Sequence, residues 1–310
     1  MNGKEIDWSP RLDGDLFNLT VRNEVLFGCH WRCPTVPLFV LIFIHGLNSN
    51  LELNANFLRV FPKYNFAVIG TDHAGCGYST GKTTTIPDII DEVTELIKYA
   101  RSIYPNLPIY LLGHSMGGLS ILKMAVDKNK ILEDVNGLIA HAPWISTNNN
   151  KEPGFLLSII IKILAIVYPS YQINTGLNVS KSSYFKEYKE MALSTKHLQS
   201  TMAIKLVSSV FSAINVVKKK KEQYMDIPLL FLQGLKDDCV VPEENIKWVK
   251  SLQEIKGNLI TIKTFENGLH DLFKYTSRQG AFEEINKFVN ATSQRKKLLH
   301  SNPANENHEL

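Results

Sequence analysis

The 310-residue chain has only four cysteines, at 29, 33, 76 and 239, and no two are spaced Cys-x-x-Cys. That scarcity argues against a zinc ribbon, a thioredoxin motif or a disulfide framework, and reduced thiols are expected. Glycine is only 18 of 310 residues and no heptad pattern runs far, which excludes collagen-like and coiled-coil chains. No strong excess of one charge is present: 34 Lys and Arg face 30 Asp and Glu, for a formal +4. The opening MNGKEIDWSP has no basic stretch leading into an apolar one, so no secretory signal is expected. Long apolar runs are also missing. The longest, FLLSIIIKILAIVY at 155–168, falls short of the roughly 20 residues a spanning helix needs and is broken by Lys162. It reads as a buried helix or one lying on an apolar interface.

What is there is ample material for a core, with 44% hydrophobic residues. Eight strand-like runs stand out, at 16–21, 24–32, 37–44, 66–71, 108–113, 137–142, 228–233 and 259–265. The first two, joined by Arg22-Asn23, read as an antiparallel pair. The runs at 37–44 and 108–113 are continuously apolar, as parallel strands covered on both faces are. Helical periodicity over 88–103, 116–126, 243–255 and 281–290 alternates with the strands, which predicts a doubly wound α/β sheet. The alternation lapses between about 143 and 225, where no convincing strand is found. Residues 150–225 carry eleven Lys and four Glu, a local charge of +7. The expected organisation is therefore a core from 1–142 and 226–293, a helical cap inserted at 143–225, and a disordered polar tail at 294–310.

The most specific signal is Gly113-His114-Ser115-Met116-Gly117, a G-x-S-x-G directly after an apolar strand and directly before a helical pattern. A tight strand-to-helix turn raises the serine above the sheet in a strained conformation. Side chains at positions 113 and 117 would collide as the turn closes. A hydroxyl is a weak nucleophile and needs a base, itself oriented by an acid. On such a sheet the chain order is Ser, Asp or Glu, then His, each on a loop after a strand. Gly234-Leu-Lys-Asp237-Asp238 follows the seventh run, and Leu269-His270-Asp271 follows the eighth, 33 residues beyond Asp237. Of nine histidines only His270 has the right place. Asp237 is preferred to its neighbour Asp238 by its spacing from Gly234. The oxyanion would be held by the backbone N–H groups of Met116 and of Leu47, in His45-Gly46-Leu47. A second motif misleads: Gly81-Lys82-Thr83 resembles the end of a phosphate-binding loop, but the upstream glycine falls on Cys76 and helical periodicity begins only near Pro87.

With these pieces in order, the chain resembles the monoglyceride lipase and lysophospholipase branch of the α/β-hydrolases. The resemblance rests on His45-Gly46, Asp72-His-Ala-Gly75-Cys-Gly77-Tyr-Ser79, Gly113-His-Ser-Met-Gly-Gly118, Gly234-Leu-Lys-Asp237 and Leu269-His270-Asp271. It departs after Leu47, where Asn48-Ser49 replace the Gly and Glu common in that branch. The resemblance implies an eight-stranded, mostly parallel α/β-hydrolase sheet with helices on both faces. It also implies hydrolysis of a monoacylglycerol or lysophospholipid ester through an acyl-enzyme, with Ser115, Asp237 and His270 as triad. No metal, organic cofactor or nucleic-acid partner is expected. The partners expected are a lipophilic acyl ester and, through the lysine-flanked cap, an anionic membrane surface. The expected location is cytoplasmic, with peripheral seats at membranes or lipid droplets. Other esterase, thioesterase or aminopeptidase chemistry is the alternative, and a non-catalytic ligand-binding protein on the same fold is a further one.

Overall fold

A computed structural model describes residues 12–147, 155–174 and 201–300. The parts of the expected cap at 148–154 and 175–200, and of the expected tail at 301–310, lie outside these residues. Ten strands and seven helices are described. The eight-stranded sheet has the order β1-β2-β4-β3-β5-β6-β9-β10. Its strands are β1 (Asp15–Val21), β2 (Glu24–Trp31), β3 (Phe39–Ile44), β4 (Phe66–Thr71), β5 (Ile109–His114), β6 (Gly137–His141), β9 (Leu229–Gly234) and β10 (Ile260–Phe265). Only β1 and β2 run antiparallel to their neighbours; the other pairings are parallel. The β1–β2 turn is made by Arg22 and Asn23, both at positive φ (51° and 72°), as a two-residue hairpin of right-handed twist requires.

Every residue of β3, β4, β5, β6 and β9 is buried, which is why those runs read as continuously apolar. Alternate side chains feed two separate cores. On one face Val40, Ile42 and Ile44 of β3 meet α2 (Ile86–Ile103), α3 (Met116–Val126), α5 (Ile204–Lys219) and α6 (Pro242–Lys256). On the other, Phe39, Leu41 and Phe43 meet α1 (Ala55–Leu58) and α7 (Arg278–His300). Helix α2 begins at Thr85, whose hydroxyl accepts the Asp88 N–H at 3.3 Å, and it buries Ile89, Val93, Leu96, Ile97 and Ala100 as its periodicity predicts.

Between β6 and β9 lie α4 (Phe155–Val167), β7 (Gln172–Asn174), β8 (Thr201–Ala203) and α5. Helix α5 packs against α4 on one side and against α2 and α3 on the other. The β7–β8 pair is a finding the sequence did not give, because three-residue strands are too short for an alternation to register. Helix α7 likewise continues to His300, so the backbone at 294–300, expected to be part of a disordered tail, is helical.

Candidate active site

Ser115 is the only residue between β5 and α3, and it sits at φ 53°, ψ −111°, a region most side chains avoid. The bend is possible because its surroundings are stripped of side chains. A Cβ on Gly113 would lie 2.5 Å from the Gly117 carbonyl oxygen, and one on Gly117 would lie 2.2 Å from the Ile44 carbonyl oxygen. A Cβ on Gly46 would come within 3.0 Å of the Ser115 Cβ, so that glycine lets the loop after β3 close upon the elbow. The Ser115 N–H donates to the His141 carbonyl at 2.9 Å, and its own carbonyl accepts from Leu119 and Trp144. The Ser115 hydroxyl makes no hydrogen bond among the described residues.

Asp237 and His270 are brought together at the carboxyl ends of β9 and β10. His270 Nδ1 donates to Asp237 Oδ2 at 2.8 Å. Asp237 Oδ1 accepts the N–H groups of Cys239 (2.8 Å) and Val240 (3.0 Å), and Oδ2 also accepts from Gln233 Nε2 (3.0 Å). The Asp237 side chain has no solvent exposure. Burial works to raise its pKa, but the His270 charge and these hydrogen bonds outweigh it, so Asp237 is held below the ordinary carboxylate range. His270 is shifted the other way: burial works to lower its pKa, and the Asp237 carboxylate overcomes it and raises it. Asp238, the rejected neighbour, is exposed. The two loops meet because Gly234 and Gly268 are in near backbone contact; a Cβ on Gly234 would lie 2.4 Å from the Gly268 oxygen.

His270 is tied to the elbow through the residue before the serine. His114 Nε2 donates to the His270 carbonyl at 3.3 Å, and the two rings lie 4.9 Å apart. Leu47 and Met116 line one crevice with Ala74, Cys76 and, from the β7–β8 pair and α5, Met202 and Leu206. Leu47 and Met116 thus lie beside the elbow that carries Ser115, the His270 backbone is tied to that elbow through His114, and Asp237 is bonded to the His270 ring.

Several supporting residues were not anticipated. Gln233 is held by Asn245 (Nδ2 to Oε1, 3.0 Å), and Asn245 by Ser146 (2.7 Å) and the Pro143 carbonyl (2.9 Å), so Asp237 is oriented from three elements. Beneath His270, Asp271 faces Lys274 Nζ at 3.0 Å, and the Leu272 N–H donates to His141 Nε2 at 3.1 Å. Burial, first of all, keeps His114 and His141 well below the usual histidine range, His141 at about 4. Donor atoms of His114, His141 and Asp271 lie close enough to consider a cation, as do those of Asp237, Cys239 and His270. In the first set the Lys274 ammonium already sits on Asp271, and in the second the His270 nitrogen is bonded to Asp237, so neither set suits one.

The Asp72–Ser79 segment is also explained. Buried Asp72 accepts from Leu51 N (2.7 Å) and Tyr78 N (2.9 Å), joining the loops after β3 and β4, and burial raises its pKa to about 6. Gly77, at φ 50°, wraps so tightly that a Cβ would lie 2.0 Å from Asp72 Oδ2. Thr80 to Thr83 follow as an irregular stretch, with α2 starting only at Ile86, so no phosphate-binding helix N-terminus follows Lys82.

A strained serine between strand and helix, at the carboxyl edge of a sheet that also presents an Asp–His pair, defines an α/β-hydrolase. Residues 36–276 match the Hydrolase_4 family, described as serine aminopeptidase, S33, and the chain belongs to it. It is similar to phospholipase YtpA of Bacillus subtilis, 23% identical over 84% of this chain and 97% of that protein. It is 24% identical to human monoglyceride lipase over 86% of this chain and 87% of that one. Its fold matches the crystal structure of Paleococcus ferrophilus monoacylglycerol lipase with a TM-score of 0.74 and 21% identity, over 86% of this chain and 99% of that one. The protein is a hydrolase of the esterase and lipase class. No helix among the described residues is long and apolar enough to cross a membrane.

Proposed function

We propose that the protein cleaves the ester of a monoacylglycerol or lysophospholipid through an acyl-enzyme on Ser115. His270 takes the Ser115 proton as Oγ attacks the carbonyl carbon. Asp237 holds the imidazole with Nδ1–H toward itself, leaving Nε2 as the base, and stabilises the imidazolium that forms. The Leu47 and Met116 N–H groups receive the oxyanion, each worth roughly 3–4 kcal/mol in the transition state. His270 then protonates the leaving alcohol and activates a water for deacylation. The observation that carries this reading is the 2.8 Å Asp237–His270 bond at the edge of the sheet where Ser115 is raised. The Ser115–His270 bond that this step needs forms with the substrate in place, since catalytic bonds in unliganded sites are commonly long or unaligned.

Residues 143–225 serve as the cap. Helix α4 turns Ile159, Ile160, Ile163, Ile166 and Val167 outward, an apolar strip suited to a lipid surface. The lysine run expected to contact anionic lipid is partly engaged elsewhere: Lys218 lies 3.8 Å from Glu244, Lys220 lies 3.7 Å from Asp127, and Lys221 donates to Ser251. Peptidase action is the second reading, because the matching family is described as serine aminopeptidase.

The test is covalent labelling with a fluorophosphonate, followed by a panel of monoacylglycerols, lysophospholipids, p-nitrophenyl esters and aminopeptidase substrates. Wild type is expected to label and Ser115→Ala to lose labelling; equal labelling of both, or none of either, overturns the mechanism. A preference for aminopeptidase substrates replaces the lipid reading.

A further inference from the structure

Outside the proposed triad lies a buried polar cluster that the mechanism has not used. His45, His73 and Glu92 are each at most 2% exposed and come from three elements: the loop after β3, the loop after β4, and α2. Their contacts fix their protonation. The His73 backbone N–H donates to His45 Nε2 at 3.0 Å, so that nitrogen carries no proton. The His45 proton is therefore on Nδ1, which donates to the Gly46 carbonyl at 2.8 Å. The His73 ring faces an acceptor at each nitrogen: Glu92 Oε2 at 2.7 Å from Nδ1, and the His45 carbonyl at 3.2 Å from Nε2. Both nitrogens are thus placed to donate, one to the Glu92 carboxyl group and one to the His45 carbonyl. Burial, reinforced by His73 beside it, pushes His45 well below the usual histidine range and keeps it neutral. Glu92 Oε1 accepts from Ala74 N at 3.2 Å and from Arg22 Nη2 at 3.3 Å, so the carboxylate is itself anchored, by a residue in the β1–β2 turn.

The Gly46 carbonyl and the Leu47 N–H belong to one peptide unit. That unit is planar, and in a trans peptide the two groups point in opposite directions. A hydrogen bond to the Gly46 oxygen therefore sets where the Leu47 N–H points, and it polarises that N–H as a donor. The His45 carbonyl, one peptide earlier, is held by His73. We propose that His73 and Glu92 are positioning residues that act through the His45 tautomer to lock the Gly46–Leu47 peptide plane toward the oxyanion. This rests on the reading of Leu47 as an oxyanion donor.

The order of action follows from the chemistry. Glu92 orients the His73 ring, and His73 clasps the His45 carbonyl with its ring and the His45 ring with its backbone. His45, with its proton confined to Nδ1, grips the Gly46 oxygen. Because the peptide plane is fixed before substrate arrives, the donor needs no reorganisation when negative charge develops, and its effect falls on the transition state rather than on binding.

Glu92→Gln keeps the size but replaces one of the two acceptor oxygens, which hold His73 Nδ1 and the Ala74 N–H, with an amide donor. It is expected to lower kcat for ester hydrolysis and the rate of fluorophosphonate labelling by about ten- to hundredfold, with KM changed less than about twofold. A folded Glu92→Gln protein with unchanged kcat, or with the loss entirely in KM, overturns the proposal. The second measurement needs no variant and no activity: ¹⁵N NMR of the wild-type histidine rings. A proton on His45 Nδ1 alone is expected; a His45 proton on Nε2 overturns the proposal even if Glu92→Gln fails to fold. If wild type neither hydrolyses esters nor labels, the functional reading fails, whereas the ring protonation pattern is still measured on its own terms.

Discussion

At the scale of single residues, the opposed shifts of Asp237 and His270 carry a pH consequence. As a base His270 works in its neutral form, so kcat/KM should rise with pH through a pKa that Asp237 has raised. Asp237→Asn removes that support and leaves burial, which acts in the other direction. The acidic limb of the profile is expected to move to lower pH, and kcat to fall roughly 10⁴-fold. Steady-state rates from pH 5 to 9 check this; an unmoved limb would show that Asp237 does not govern His270. For stability the sign differs. A raised histidine pKa contributes stability that is complete below the unfolded value and is lost as pH rises through the folded one. Asp237, lowered, contributes stability that is lost only as pH falls through its folded pKa, so the buried pair favours the fold between the two values, while activity is favoured above the upper one. Ser115, Asp237 and His270 were legible because each sits in a local motif after a strand. Glu92, Gln233 and Asn245 were not, because their partners lie across other elements: Asn245 reaches Pro143, 102 residues away, and no spacing rule spans such a distance.

At the scale of elements, α4 is where the apolar run found its meaning. The sequence left it open between a buried helix and one at an interface, and the structure leaves one side facing out while α5 covers the other. Replacing Ile163 and Ile166 with Asp should weaken binding to phosphatidylcholine–phosphatidylserine vesicles at least tenfold, since each loses about 1.5–3 kcal/mol of burial in lipid. Hydrolysis of a water-soluble p-nitrophenyl ester should be unchanged. Flotation or a sedimentation assay measures the first quantity; unaltered vesicle binding would remove α4 from the membrane role and leave the chemistry standing. The core helices α2 and α3 were legible to within a few residues, since α2 has one apolar face against the sheet and α3 is buried along all but Lys123. The end of α7 was not: Gln294 to His300 is mostly polar, and its two leucines are adjacent and set no helical period.

At the scale of the whole molecule, the sheet holds two cores apart and gathers the functional loops at one edge. That edge is built at the carboxyl ends of β3, β5, β9 and β10, where loops carry residues 46–47, 115–116, 237 and 270. A sheet of this kind also has two open flanks, and β10 forms one of them, pairing among the described residues only with β9. Its sequence, ITIKTF, is β-branched and apolar except for Lys263, which is half exposed and lies 3.1 Å from Glu284 of α7. A charge on an open flank of this kind disfavours the addition of a second strand alongside. Lys263→Val would convert the flank into a template, and concentration-dependent self-association on gentle warming should appear in light scattering where wild type stays clear. One cation on the flank of the sheet would then set how readily two copies join edge to edge.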